Sequence, residues 1–109
     1  MLKLKQNIYS VPGEGNGQFP FCNGLYLEGR EKRVLIDAGM GKQKIQTCLQ
    51  KGVDILILSH CHYDHRSSIR LMQDVPLWCH KEEAPYLESR ERFFEGIGFA
   101  RSGIGWKEL

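Results

Sequence analysis

Between Arg33 and Leu58 the sequence spells a strand, a helix and a second strand in succession, and few folds accommodate that order. Residues 33–37 read as a strand, with Val34, Leu35 and Ile36 at its centre, ending in Asp37-Ala38-Gly39. Residues 42–51 place Ile45, Cys48 and Leu49 at i, i+3 and i+4, one face of a short amphipathic helix, and Gly52 follows as its stop. Residues 54–58, Asp-Ile-Leu-Ile-Leu, are a continuous β-branched and leucine run, the pattern of a strand covered on both faces. Two strands joined through a crossover helix pair in parallel. The expected fold class is therefore α/β.

The chain has 109 residues, enough for one domain with a modest core and too few for two. Fifteen Lys and Arg against thirteen Asp and Glu leave a net charge of +2 with no basic stripe, which argues against a nucleic-acid partner. No apolar stretch approaches bilayer length and no apolar signal segment opens the chain, so the expectation is a cytoplasmic protein without membrane contact. Four cysteines (Cys22, Cys48, Cys61, Cys79) are widely spaced and form no Cys-x-x-Cys, which suits reduced thiols better than a disulfide framework.

Upstream, residues 2–9 alternate in the manner of an edge strand facing a core on one side. The glycine-rich residues 13–18 read as a flexible rim, since no Lys-Ser/Thr and no helix follow to make a phosphate loop. Residues 21–27 and 33–37 read as two strands of a hairpin joined by the polar turn 28–32. Downstream, a brief helical stretch over 66–73 turns Ile69 and Met72 inward, a strand covers 76–79 and a helix covers about 81–94. The four glycines between positions 96 and 105 imply an irregular tail over about 96–109.

Three of the four histidines fall within His60-Cys61-His62-Tyr63-Asp64-His65. At this chain's own His and Asp frequencies, such a His-x-His-x-Asp-His run arises by chance in about 2 of 10,000 sequences, so composition does not explain it. In extended chain His60, His62 and Asp64 project to one side and Cys61 and Tyr63 to the other, and a turn into helix brings His65 beside Asp64. Imidazoles and a carboxylate are borderline ligands suited to Zn²⁺, and such sets often serve two metals. Their place, at the carboxyl end of a buried parallel strand, is where open α/β sheets bind ligands.

At these residues the sequence resembles the metallo-beta-lactamase fold superfamily, whose second motif is His-x-His-x-Asp-His after a hydrophobic strand. Val34-Leu35-Ile36-Asp37-Ala38-Gly39 resembles its first motif, Asn23-Gly24-Leu25-Tyr26-Leu27-Glu28-Gly29 its opening hairpin, and the stretch from Pro76 to Glu83 its next unit. The resemblance covers about residues 2–92. It implies the N-terminal half of a four-layer αβ/βα sandwich. It also implies His60 and His62 on a first metal, Asp64 and His65 on a second, and Asp37 beneath them orienting the ligands. Hydrolysis would proceed by attack of a metal-acidified water on an ester, thioester, amide or phosphodiester of a small-molecule substrate, with Asp64 steering that water or accepting its proton. Two zinc ions are implied for the complete domain, with iron or manganese left open.

Two departures from that family bear on function. Arg66-Ser67-Ser68 follows His65 where the family commonly has small residues, which places a cation and two hydroxyls at a helix start near the metals. The later ligands of the family have no counterpart, so the chain carries four of about seven. It reads as a single, truncated domain, inactive alone. A half-domain that only binds metal, or that self-associates through an open face in place of a missing C-terminal half, is the alternative. Cys61 is assigned to packing, His80 to a helix cap or a satisfied core position, Tyr63 to substrate contact or packing, and Trp78, Phe93, Phe94, Phe99 and Trp106 to a core with one unfilled side.

Overall fold

The structure, a computed structural model, describes residues 1–60 and 62–88. Six strands form one sheet in chain order. They are β1 (Leu2–Lys5), β2 (Ile8–Val11), β3 (Gly24–Glu28), β4 (Arg33–Ile36), β5 (Ile55–Ile57) and β6 (Leu77–Trp78). The first four are antiparallel neighbours, whereas β5 and β6 extend the sheet beside β4 in parallel. The helices are α1 (Lys42–Lys51), α2 (Tyr63–Arg66) and α3 (Ala84–Glu88), with 3₁₀ turns at Glu14–Gly17 and Ile69–Met72.

The crossover read from residues 33–58 is present: α1 occupies the expected span, and Val34, Leu35 and Ile36 lie opposite Ile55, Leu56 and Ile57. Gly41 and Gly52 flank the helix with φ of 102° and 112°, a region L side chains rarely enter, so both boundaries depend on glycine. Ile45 and Cys48 are fully buried against Val11, Tyr26, Leu35 and Leu56, one residue from each of four successive strands. Burying each such large side chain stabilises the fold by about 1.5–3 kcal/mol. The Tyr26 hydroxyl donates to the Gly52 carbonyl at 2.8 Å, which satisfies its polar tip and ties the sheet to the end of α1.

The opposite face of the sheet carries Leu25, Leu27, Val34, Ile36, Ile55 and Ile57 in register, all only half-buried, and Trp78 beside Ile57 is 58% exposed. The expectation that residues 54–58 are covered on both faces thus holds fully on the α1 side alone.

Elsewhere the structure corrects the sequence reading. Residues 2–9 are two strands, not one: Asn7, at φ 69°, turns β1 back on β2, and Leu2 and Leu4 face solvent rather than a core. The glycine-rich segment is an anchored turn instead of a loose rim, because Gly13 N–H donates to Asn23 Oδ1 and Glu14 N–H to the Met40 carbonyl. The third strand starts at Gly24, after Phe21 N–H has closed a turn on the Gln18 carbonyl. Helix begins at Tyr63, three residues earlier than expected, and breaks into the 3₁₀ turn that buries Met72. Ser67 and Ser68 consequently follow α2, and no side-chain cap bond forms at Ser68. The last strand is shortened to Leu77–Trp78, and α3 starts at Ala84 rather than near residue 81. Cys61, the end of the helix expected to residue 94 and the tail over 96–109 lie outside the described residues.

Candidate metal centre

The site is built where β4 and β5 end side by side. Beyond Ile36 the chain bends sharply: Asp37 adopts φ 70°, in the left-handed region, and its N–H donates to the Ile57 carbonyl at 2.8 Å. This conformation, which among non-glycine residues favours asparagine and aspartate, turns the carboxylate under the exit of β5. There Asp37 Oδ1 accepts from Ser59 N–H at 2.9 Å, and Oδ2 lies 2.9 Å from His65 Nδ1. Asp37 is the one buried polar residue among those described, and its buried charge is compensated by these bonds.

Helix α2 is held against the same bend by its backbone. Ala38 N–H donates to the His65 carbonyl and Ser68 N–H to the Ala38 carbonyl, both at 2.8 Å. Gly39 packs beneath it so closely that a Cβ there would lie 1.6 Å from the Asp64 carbonyl oxygen and 2.9 Å from Cys22 Sγ. The glycine is required by that approach, not by its own backbone angle.

The four candidate donors approach one another in pairs above this floor. The His60 ring lies 4.6 Å from that of His62 and 4.2 Å from that of His65, centroid to centroid, and His65 Nε2 is 3.7 Å from Asp64 Oδ2. Burial, together with the neighbouring His65 and His62, pushes the His60 pKa below the usual imidazole value, against partial opposition from Asp37 and Asp64. Neutral imidazole is the form that binds a metal. Burial and then Asp37 push the neighbouring Cys22 thiol up to about 12, with a backbone hydrogen bond at Gly39 opposing.

Imidazole and carboxylate donors backed by a carboxylate–histidine bond fit a divalent metal in their chemistry. Their side chains are gathered rather than closed: among the described residues no three His, Cys, Asp or Glu groups converge as a metal-holding set. Simple alternation does not carry Asp64 into place either, since it stands on the first turn of α2, where His65 N–H bonds the His62 carbonyl.

Other expected site residues sit differently. Arg66 Nη1 donates to the Tyr86 carbonyl at 3.0 Å. Tyr63 packs its ring 6.3 Å from that of Phe19. His80 Nδ1 accepts from Glu82 N–H at 3.1 Å, a cap for the turn ahead of α3. Sequence reasoning assigned no role to Ser59 or to the tight packing of Gly39. Each adjoins a motif, which is the signal available, but neither residue type announces its contact.

Residues 17–106 match the family described as the metallo-beta-lactamase superfamily. The chain belongs to that superfamily. Against a probable metallo-hydrolase of Streptococcus pyogenes serotype M6 this superfamily member is 29% identical over 105 residues, which span 90% of it and 42% of the relative. Its fold matches that of the DIM-1 metallo-beta-lactamase, in a crystal structure after exposure to ceftazidime, with a TM-score of 0.62 at 16% identity, over 80% of this chain and 45% of that one. The metallo-beta-lactamase fold protein YhfI of Bacillus subtilis matches with a TM-score of 0.54 at 18% identity, over 74% and 39%. The superfamily member described here thus spans well under two thirds of each. The mixed α/β class expected from its sequence holds, and the superfamily is one that generally binds metal ions. No helix among its described residues is long and apolar enough to cross a membrane.

Proposed function

We propose that this chain supplies His60, His62, Asp64 and His65 as ligands of a zinc-dependent hydrolase acting on a small-molecule ester, thioester, amide or phosphodiester. The observation that carries the reading is the 2.9 Å contact between Asp37 and His65 Nδ1, which leaves Nε2 of a motif histidine directed toward Asp64. A carboxylate buried behind an imidazole is the usual support of a metal ligand and is of little use to a merely solvated histidine. When bound, a divalent metal lowers the pKa of water toward neutrality and polarises a carbonyl or phosphoryl oxygen. The chain's own part is to orient the rings, and at His60 burial disfavours the protonated form. Asp64, whose side chain is partly exposed, stands ready as proton acceptor.

Zinc titration of the metal-free protein tests this, with His60→Ala and His65→Ala alongside. Binding lost in both variants is the expected result; affinity equal to wild type in either overturns the assignment. Iron and manganese, titrated in parallel, are expected to bind more weakly. Two zinc ions are assigned to the complete site. With four donors in place of about seven, the 109 residues alone are expected to bind metal weakly and to lack activity, and tight two-metal stoichiometry would refute that. The cytoplasmic assignment draws support from Cys22, Cys48 and Cys79, all free thiols.

A second reading, a self-associating module without catalysis, is favoured by the half-buried sheet face from Leu25 to Ile57 and by exposed Trp78. Light scattering after size exclusion separates the two: a dimer without metal affinity supports the module, and a zinc-binding monomer excludes it.

A further inference from the structure

The hydroxyl of Ser59 occupies a position that the ligand assignment leaves unexplained. Its Oγ lies 3.0 Å from Asp37 Oδ1, 2.8 Å from Asp37 Oδ2 and 2.9 Å from His60 Nδ1. A hydroxyl has one proton to give and two lone pairs to accept with, whereas a carboxylate only accepts. If Ser59 gave its proton to His60, its oxygen would face both carboxylate oxygens lone pair against lone pair. The proton therefore goes to Asp37, and the remaining short contact is satisfied when His60 donates from Nδ1 to Ser59 Oγ.

The same carboxylate faces His65 Nδ1 at 2.9 Å, so that ring too must donate from Nδ1. We propose that Ser59 is a positioning residue which extends the acceptor polarity of Asp37 to His60, so that both His60 and His65 keep Nδ1 protonated and present Nε2 as a free lone pair. One buried carboxylate thereby sets the tautomer and ring orientation of two motif histidines, one directly and one through a hydroxyl. Without Ser59 no hydrogen-bond partner among the described residues fixes the nitrogen that the His60 ring protonates, while His65 keeps its own bond to Asp37. This inference rests on the metal-ligand reading for its purpose, but the tautomers exist in the metal-free protein and are measurable there.

Long-range ¹H–¹⁵N spectra of the metal-free 109-residue chain, recorded where the imidazoles are neutral, read the protonated nitrogen of each ring directly. The expected result is Nδ1–H for His60 and His65 in the wild type. Ser59→Ala is expected to move His60 toward Nε2–H and leave His65 unchanged, and Ser59→Thr to restore the wild-type pattern. Zinc affinity should fall about ten-fold in Ser59→Ala and recover in Ser59→Thr. Nε2–H at His60 in the wild type overturns the proposal, and so does a His60 that keeps Nδ1–H in a folded Ser59→Ala variant. Should Ser59→Ala fail to fold, the wild-type and Ser59→Thr spectra decide by the same criterion. The expected tautomers in a chain with no zinc affinity would overturn the metal reading while sustaining the positioning role.

Discussion

Replacing Gly39 by alanine is the sharpest perturbation of the site that leaves every donor side chain unsubstituted. The added Cβ would stand 1.6 Å from the Asp64 carbonyl oxygen and 2.6 Å from its carbon, where ordinary contact begins near 3.4 Å. Backbone cannot swing aside as a side chain does, so α2 would have to retreat by roughly 1.8 Å. That retreat breaks the bonds from Ala38 N–H to the His65 carbonyl and from Ser68 N–H to the Ala38 carbonyl. Each such bond contributes about 1 kcal/mol, and overpacking of this kind adds about 1–3 kcal/mol. The expected destabilisation is about 3–5 kcal/mol, a large part of the roughly 5–15 kcal/mol that holds a domain together. Urea unfolding followed by circular dichroism measures it, with Gln46→Ala on the exposed side of α1 as a control expected to shift little. A Gly39→Ala variant within about 1 kcal/mol of wild type would show that α2 does not rest on this glycine, and the account of the site's floor would fail.

Asp37→Asn tests the carboxylate without disturbing its backbone, because asparagine tolerates the φ of 70°. Zinc affinity is expected to fall about 10–100-fold; titration calorimetry checks this, and an unchanged constant would remove Asp37 from any supporting role. The Cys22 thiol, pushed up to about 12, should resist iodoacetamide at pH 8 in the native protein and react on unfolding. The sign of its pH dependence follows from the same shift. The native state keeps a proton that the unfolded chain releases near pH 9, so stability is full below that value and declines toward pH 12. A Cys22→Ala variant should lose that component of the slope in urea midpoints measured across this range, and parallel slopes would contradict it.

What the sequence made visible was periodicity. Helix α1 was readable to the residue because Ile45, Cys48 and Leu49 share a face and Gly52 stops it, and β4 and β5 were readable because nothing polar interrupts them. The turn between β1 and β2 was hidden, since it relies on Asn7 in a left-handed conformation and contains neither glycine nor proline. The histidine motif was legible as a chemical improbability, and Asp37 came with the resemblance. Ser59 and Gly39 were not legible in their roles, because a serine's proton balance and a glycine's clearance exist only once distant segments meet. The early start of α2 at Tyr63 has the same origin: Ala38 fixes it through backbone bonds, from 27 residues upstream of His65.

The sheet's strands stand in the order in which they are synthesised, and this has a kinetic consequence. Asp37 meets Ser59 across 22 positions and His65 across 28, and loops of that size cost little more to close than shorter ones, about 0.6 kcal/mol per doubling. The floor of the site is therefore expected to assemble early, from contacts local in sequence, before anything further along the chain is needed. Pulsed hydrogen exchange during refolding should show the Asp37, Ser59 and His65 amides protected together, and ahead of those in α3. A floor begun in this way would be a folding nucleus as well as a support for the histidines, so substitutions at Asp37 should slow folding more than they hasten unfolding.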